Sequence, residues 1–326
     1  MEEIVFLHPD INVALEKAVE NENPQSFEKL VEVILKELNT QILAEWERVG
    51  RPKGFAVRDL LRLPVTFCQL LMIAPEITIE ALDLLSQAWL ENRPELLQKL
   101  AGFTPKAKAP QALWQIFWED VKAPPLNLDI KRVLQFNAAM DLSVRETYEA
   151  IMLERPEVAQ AFNSGSVRPS SMTLESLADY PEDTLGYSFY HQLADNNLSL
   201  EIIKDRPQNV FEDERANYVG LRVYQTHDIW HVLLGYSVSG MDEITLQAFQ
   251  LAQVGSASSA RILTLLVTRA MLNGFYALPP LFNAIFKGWQ HGRQTRQLLP
   301  IYWEELWNQP LSELRERYQI QAVAVR

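Results

Sequence analysis

Two of the five histidines in a chain of 326 residues stand four apart, in the stretch THDIWHVLLGYSVSGMDE from Thr226 to Glu243. On a helix, His227 and His231 leave the same face one turn apart, and Asp228 falls beside His231. Two imidazole nitrogens and a carboxylate oxygen suit a borderline divalent ion such as zinc or iron(II). The run resembles the zinc-protease signature His-Glu-x-x-His, but Asp228 stands where that motif needs its catalytic glutamate, which argues against peptide hydrolysis.

Glu243 is the geometric test of such a site. Along a straight helix it would lie about 18 Å beyond His231, out of coordination range. Gly235 and Gly240 bracket Tyr-Ser-Val-Ser and can stop one helix and turn the chain. Asp242 can then cap a second helix, Glu243 to about Val254, that packs antiparallel on the first and returns Glu243 to the histidines. Spacing alone leaves a second account open. Histidines on a buried face are often satisfied core residues, and Asp242 and Glu243 at a helix start are often caps that favour the dipole.

The elements that must position these groups are helices. Apolar residues recur at helical spacing through most of the chain, and alternating β-branched runs are hard to find. Ser26 can cap a helix through Trp46 that Gly50 stops. Further helices fit Val57 to Ile73, with Pro64 a kink, then Ile79 to Asn92 and Pro94 to Ala101. TPKAKAP (Thr104 to Pro110) reads as a linker, Ala123-Pro124-Pro125 as a second break, and NSGSVRPSS (Asn163 to Ser171) as irregular. Glu212, Asp213 and Glu214 suit the start of the helix that carries the histidines to about Leu234. The expected fold is all-α: a multi-helix orthogonal or bundle core over 126–326, holding a metal-binding helix-turn-helix, with an N-terminal helical extension over 1–125.

Composition narrows the function classes. A formal net charge of −12 disfavours nucleic-acid binding, which needs a basic surface. Cys68 is the single cysteine, so neither an intramolecular disulfide nor a thiolate cluster can form. The start MEEIVFLHPD has no basic n-region or long apolar run, so neither a signal nor a transit peptide is expected. The uncharged stretch Ala270–Phe286, apart from Asn273 and Asn283 apolar or small, contains Pro279-Pro280 and falls short of the about 20 residues of a spanning helix. A cytoplasmic protein with peripheral membrane contact is the expectation.

At His227, Asp228, His231 and Glu243 the chain resembles the coenzyme Q (ubiquinone) biosynthesis protein four family, whose hallmark is His-Asp-x-x-His, eleven residues, then Glu. PEDTLGYSFYHQL (Pro181 to Leu193), FEDERANYVGLRVYQTHD (Phe211 to Asp228) and a tail with Trp289, Gly292, Trp303-Glu304 and PLSELRERYQI extend the resemblance over about residues 126–326. The resemblance implies an all-helical protein with a divalent metal at those four positions: zinc, with iron or magnesium as alternatives. It also implies a polyprenyl lipid or prenylated quinone precursor as ligand, and other quinone-biosynthesis enzymes as partners. Two functions follow from it. One is oxidative decarboxylation of a polyprenyl hydroxybenzoate ring, with His227, Asp228, His231 and Glu243 as catalytic residues. The other is a lipid-presenting scaffold without catalysis.

Residues 1–125 match no part of that pattern and can supply a partner-binding or homodimer surface. For the lipid, the small residues Gly255 to Ala260 leave open close helix packing or an isoprenoid groove, and the resemblance favours the groove. Arg222, Tyr224, Gly255 and Ala257 are the candidate lipid or substrate contacts. An ion pair with a nearby carboxylate competes for Arg222.

Overall fold

The structure is a computed structural model that describes residues 9–20, 24–37, 48, 54–100, 107–123, 130–154, 156–163, 173–198, 200, 213–273 and 275–323. Its α-helices, in chain order, begin with α1 (Pro9–Glu20), α2 (Pro24–Glu37), α3 (Val57–Ile73), α4 (Pro75–Leu90) and α5 (Gln111–Lys122). Then come α6 (Ile130–Ala139), α7 (Leu142–Leu153), α8 (Pro156–Asn163), α9 (Leu174–Ala178) and α10 (Leu185–Asp195). The last are α11 (Glu214–Leu234), α12 (Gly240–Val254), α13 (Ala257–Leu272), α14 (Leu278–Gln294) and α15 (Leu311–Arg317). Two 3₁₀ turns, Pro94–Leu100 and Trp303–Glu305, join them. Among the described residues there is no strand, only one isolated bridge between Thr184 and Pro310. The all-α expectation holds.

Element boundaries differ from the sequence reading where proline chemistry decides them. Helix α2 begins at Pro24, so Ser26 lies within its first turn and does not cap it. Helix α4 begins at Pro75, four residues before Ile79, because proline's missing N–H costs nothing at a helix start. Pro94–Leu100 winds as a 3₁₀ helix where an α-helix was expected. The expected stop at Gly50, residues 104–106, Pro124-Pro125 and 164–171 lie outside the described residues. None of the described helices is long and apolar enough to cross a membrane.

The chain forms two compact units, residues 1–148 with 257–289, and residues 149–256 with 290–326. In the first, Phe67, Trp89, Phe282 and Phe286 pack with ring centroids 5.2–6.4 Å apart. The Trp289 indole donates to Asp83 Oδ1 at 2.8 Å. Asp120, 2% exposed, accepts from Arg132 Nε and Arg261 Nη2, each at 2.5 Å. Breaking a buried ion pair such as Asp120–Arg261 by removing one partner typically costs about 3–5 kcal/mol. Cys68 is buried, and desolvation pushes its thiol up to about 12, so it is a core residue.

The second unit carries the His227 stretch. Its core gathers Leu185, Phe189, Trp230, Leu233, Phe249, Trp303 and Trp307, with Phe189 stacked on Trp307 and Trp230 edge-on to Phe249. Truncating one such aromatic side chain typically costs about 3–5 kcal/mol. Gly292 lets α14 lie directly on α12, since a Cβ there would stand 2.7 Å from both Ala252 Cβ and the Phe249 carbonyl oxygen.

Candidate metal centre

Helix α11 starts with Asp213 as its cap, the side chain accepting from Arg215 N at 2.7 Å. It stops at Gly235, whose φ of +75° is open to glycine at little cost. Arg315 secures this end by donating to the carbonyls of Val232 and Leu233, both at 2.9 Å, and Val323 N donates to Leu234 O at 2.8 Å. Helix α12 then begins at Gly240 with Ser239 as the cap position. Asp242 is therefore not the cap. It lies in the first turn and reaches back to Ser237 N and Oγ at 2.9 and 2.6 Å.

The turn reverses the chain. Glu243, at the start of α12, meets His231, near the end of α11, whereas Gln250, two turns later on α12, meets His227, one turn earlier on α11. That order of contacts is antiparallel. Glu243 Oε1 lies 3.1 Å from His231 Nε2, and its Oε2 lies 3.3 Å from His227 Nε2. The two imidazole rings are 5.0 Å apart. Ligand atoms of His227, Asp228 and His231 fall within 4.8 Å of one another. The structure thus brings Glu243 to both histidines, and it groups Asp228 with the same two rings, though Glu243 is not part of that three-residue group.

Burial is graded across the group: His231 is fully enclosed and Asp228 is 7% exposed, while the His227 and Glu243 side chains are 21% and 39% exposed. One side of the cluster therefore faces solvent. Burial works against a charge on His227, but the Glu243 hydrogen bond and the Asp228 and Glu243 charges outweigh it and raise its pKa above the ordinary 6.5. Burial would likewise raise Glu243, but hydrogen bonds and charge from both histidines hold it well below the usual carboxylate range.

The donors fit a metal. His231 Nδ1–H donates to the Tyr236 carbonyl at 3.3 Å, so in the neutral ring Nε2 carries the lone pair, and that lone pair faces a carboxylate oxygen 3.1 Å away. Two acceptors this close need a proton or a cation between them. Ligands about 2.1 Å from a tetrahedral ion stand about 3.4 Å apart, close to the two observed nitrogen–oxygen distances. Asp228 Oδ2 is buried without a hydrogen-bond partner among the described residues, a cost that a cation relieves.

The candidate lipid contacts are placed differently. Arg222 is 1% exposed and paired with Glu304, through a short hydrogen bond to Oε1 and a 2.9 Å bond to Oε2, and it also donates to the Ile301 carbonyl at 2.8 Å. Gly255 has φ +69° and closes α12, and a Cβ there would stand 2.5 Å from Ile151 Cγ2. Ala257 is buried at the first position of α13, and Tyr224 is half-buried on α11. Sequence reasoning missed Gln250 and the Tyr236 carbonyl. For Gln250 a signal was present: seven residues after Glu243, it shares that residue's helix face. For a backbone carbonyl in a turn there was none.

Residues 135–324 match the family model described as "Coenzyme Q (ubiquinone) biosynthesis protein Coq4". The rat "Ubiquinone biosynthesis protein COQ4 homolog, mitochondrial" is 31% identical over 172 residues, 52% of this chain and 59% of that protein. The mouse protein of the same name is 29% identical over 176 residues, with the same coverage. The chain thus spans somewhat over half the length of these relatives. A crystal structure of a candidate ubiquinone biosynthesis protein from Nostoc punctiforme PCC 73102 aligns with a TM-score of 0.51 and 26% identity, covering 64% of this chain and 94% of that one. With the family match spanning more than half of its residues, the chain belongs to the Coq4 family of coenzyme Q biosynthesis proteins.

Proposed function

We propose that this chain serves ubiquinone-type quinone biosynthesis by holding a divalent metal ion with His227, Asp228, His231 and Glu243, beside a prenylated aromatic substrate. The observation that carries this reading is His231 Nε2 standing 3.1 Å from Glu243 Oε1, next to Asp228 Oδ2, which is buried without a hydrogen-bond partner among the described residues. When bound, the ion supplies positive charge that holds and polarises a ring carboxylate or phenolate. His227 and Glu243, the two less buried groups, are those that a ring arriving from solvent would meet first. Glu243, kept ionised by the histidines, offers the ion a lasting negative charge and is a poor place for a proton.

The reaction in this reading replaces the carboxylate of a polyprenyl hydroxybenzoate by hydroxyl. Carbon dioxide leaves in a net two-electron oxidation; with dioxygen as oxidant, one oxygen atom becomes the ring hydroxyl and the other leaves as water, which takes two further electrons and two protons from an external reductant. Zinc has no redox chemistry, so the oxidative reading sits best with iron, whereas zinc suits a site that holds and orients. A second reading has its own ground: if His227, Asp228, His231 and Glu243 all ligate, four protein donors complete a tetrahedral shell, as in structural sites. The chain would then present the lipid to other quinone-biosynthesis enzymes at a membrane surface, alone or as a homodimer. The contacts proposed for the prenyl chain, Arg222, Tyr224, Gly255 and Ala257, rest on the family resemblance.

Elemental analysis with native mass spectrometry of the purified protein tests both readings. One transition-metal ion per chain with a co-purified prenyl lipid is expected. Carbon dioxide release from a prenylated hydroxybenzoate in air with an external reductant, absent in His231→Ala, supports the enzyme. Metal and lipid without turnover support the scaffold, and absence of metal from a protein expressed with zinc and iron overturns the proposal.

A further inference from the structure

We infer that Gln250 is a positioning residue of this metal centre, with an amide that holds His227 and can match either placement of its ring hydrogen. The inference rests on the metal reading above. Gln250 is 3% exposed, and its Nε2 lies 3.0 Å from His227 Nδ1. In that arrangement the amide donates to Nδ1, so a neutral His227 carries its hydrogen on Nε2 and directs it to Glu243 Oε2 at 3.3 Å. Ion binding demands the opposite tautomer, with Nε2 bare and Nδ1–H donating to an acceptor.

His231 already has such an acceptor in the Tyr236 carbonyl, a backbone group that cannot turn away. His227 has an amide, which offers oxygen or nitrogen by a half-turn about its last side-chain bond. Gln250 therefore satisfies His227 in both states, donating to Nδ1 without the ion and accepting from Nδ1–H with it. The asymmetry matches burial, since His231 is enclosed and locked while His227 sits at the partly exposed side. Metal entry and release then involve one histidine that keeps its tautomer and one that changes it.

The test uses the full chain, stripped of metal and titrated with zinc against a chelating fluorophore. Gln250→Met keeps length and removes the acceptor. Gln250→Glu keeps an acceptor, as in the carboxylate–histidine–zinc arrangement. Zinc affinity is expected to fall up to about 10–100-fold in Gln250→Met, where the Nδ1–H of bound His227 loses its acceptor, and to hold or rise in Gln250→Glu, whose carboxylate only accepts, with helix content unchanged in both. Nitrogen-15 NMR of the wild type provides a readout that does not depend on either variant folding: His227 should carry its hydrogen on Nε2 without zinc and on Nδ1 with it. Equal zinc affinity in wild type and Gln250→Met, or His227 ligation through Nδ1, overturns the inference while leaving the metal site standing. A wild type that binds no zinc and no iron(II) removes the metal reading itself.

Discussion

At the scale of single residues, Glu243 separates a metal ligand from a helix-start charge. Loss of charge at the start of α12 alone should cost about 0.3–1 kcal/mol through the dipole. As a ligand its effect is much larger, because even outer-layer partners of metal ligands change affinity by about 10–100-fold. Glu243→Gln is therefore expected to lower metal affinity by far more than tenfold while shifting the melting temperature little in the metal-free protein. Retained affinity with only a lowered melting temperature would make Glu243 a cap. His291 gives a prediction in pH. Burial lowers its pKa below 6.5, against a smaller opposing effect of the Gln321 backbone, and its Nδ1 is hydrogen-bonded to the Tyr236 hydroxyl. A histidine with a depressed folded pKa binds its proton more readily when unfolded. Its stabilising contribution is present above about pH 6.5 and lost as pH falls through the folded value. Urea unfolding of the metal-free protein should show wild type losing more stability than His291→Gln between pH 7.5 and 5.5, and equal losses would refute the burial argument.

At the scale of elements, the α11–α12 turn holds two glycines that the sequence presents as equivalent. Gly235 has φ +75°, and a Cβ there would strike the Val323 carbonyl oxygen, whereas a Cβ on Gly240 would meet nothing within 4 Å. Alanine in the left-handed region costs about 1–2 kcal/mol before the clash is counted. Gly235→Ala is thus expected to destabilise by at least that amount and to weaken metal binding by displacing the Tyr236 carbonyl from His231. Gly240→Ala should be neutral or slightly stabilising, since alanine is the better helix former. Chemical denaturation and a metal titration of the two variants check this, and similar effects from both would mean that the turn relaxes around either.

At the scale of the whole molecule, we keep the proposal that residues 126–326 carry the site by themselves. All four proposed ligand residues and Gln250 lie in the unit formed by 149–256 and 290–326. Residues 257–289 belong to the other unit, where Arg261 pairs with Asp120, Trp289 with Asp83, and Phe282 packs on Phe67 and Trp89. A chain starting at residue 126 is therefore expected to bind one metal ion but to melt well below the full chain and to bind an apolar dye through the uncovered α13 and α14. Loss of the metal together with the N-terminal residues would show that the site does not fold alone.

The sequence by itself determined the helical class and the register of the site. Both follow from local spacing: i and i+4 put His227 and His231 on one face, and glycine marks where the chain can turn. It also left a legible trace of Gln250, two turns after Glu243. Tertiary structure decided the rest, because distances between elements are not encoded in spacing. It placed Glu243 within 3.3 Å of both imidazoles, set a backbone carbonyl behind His231, and left Asp228 Oδ2 buried without a partner among the described residues. It gave Arg222 to Glu304, 82 residues away. It also closed Gly235 to any side chain and left Gly240 open, because the Val323 carbonyl that excludes a side chain from the first comes from the far end of the chain.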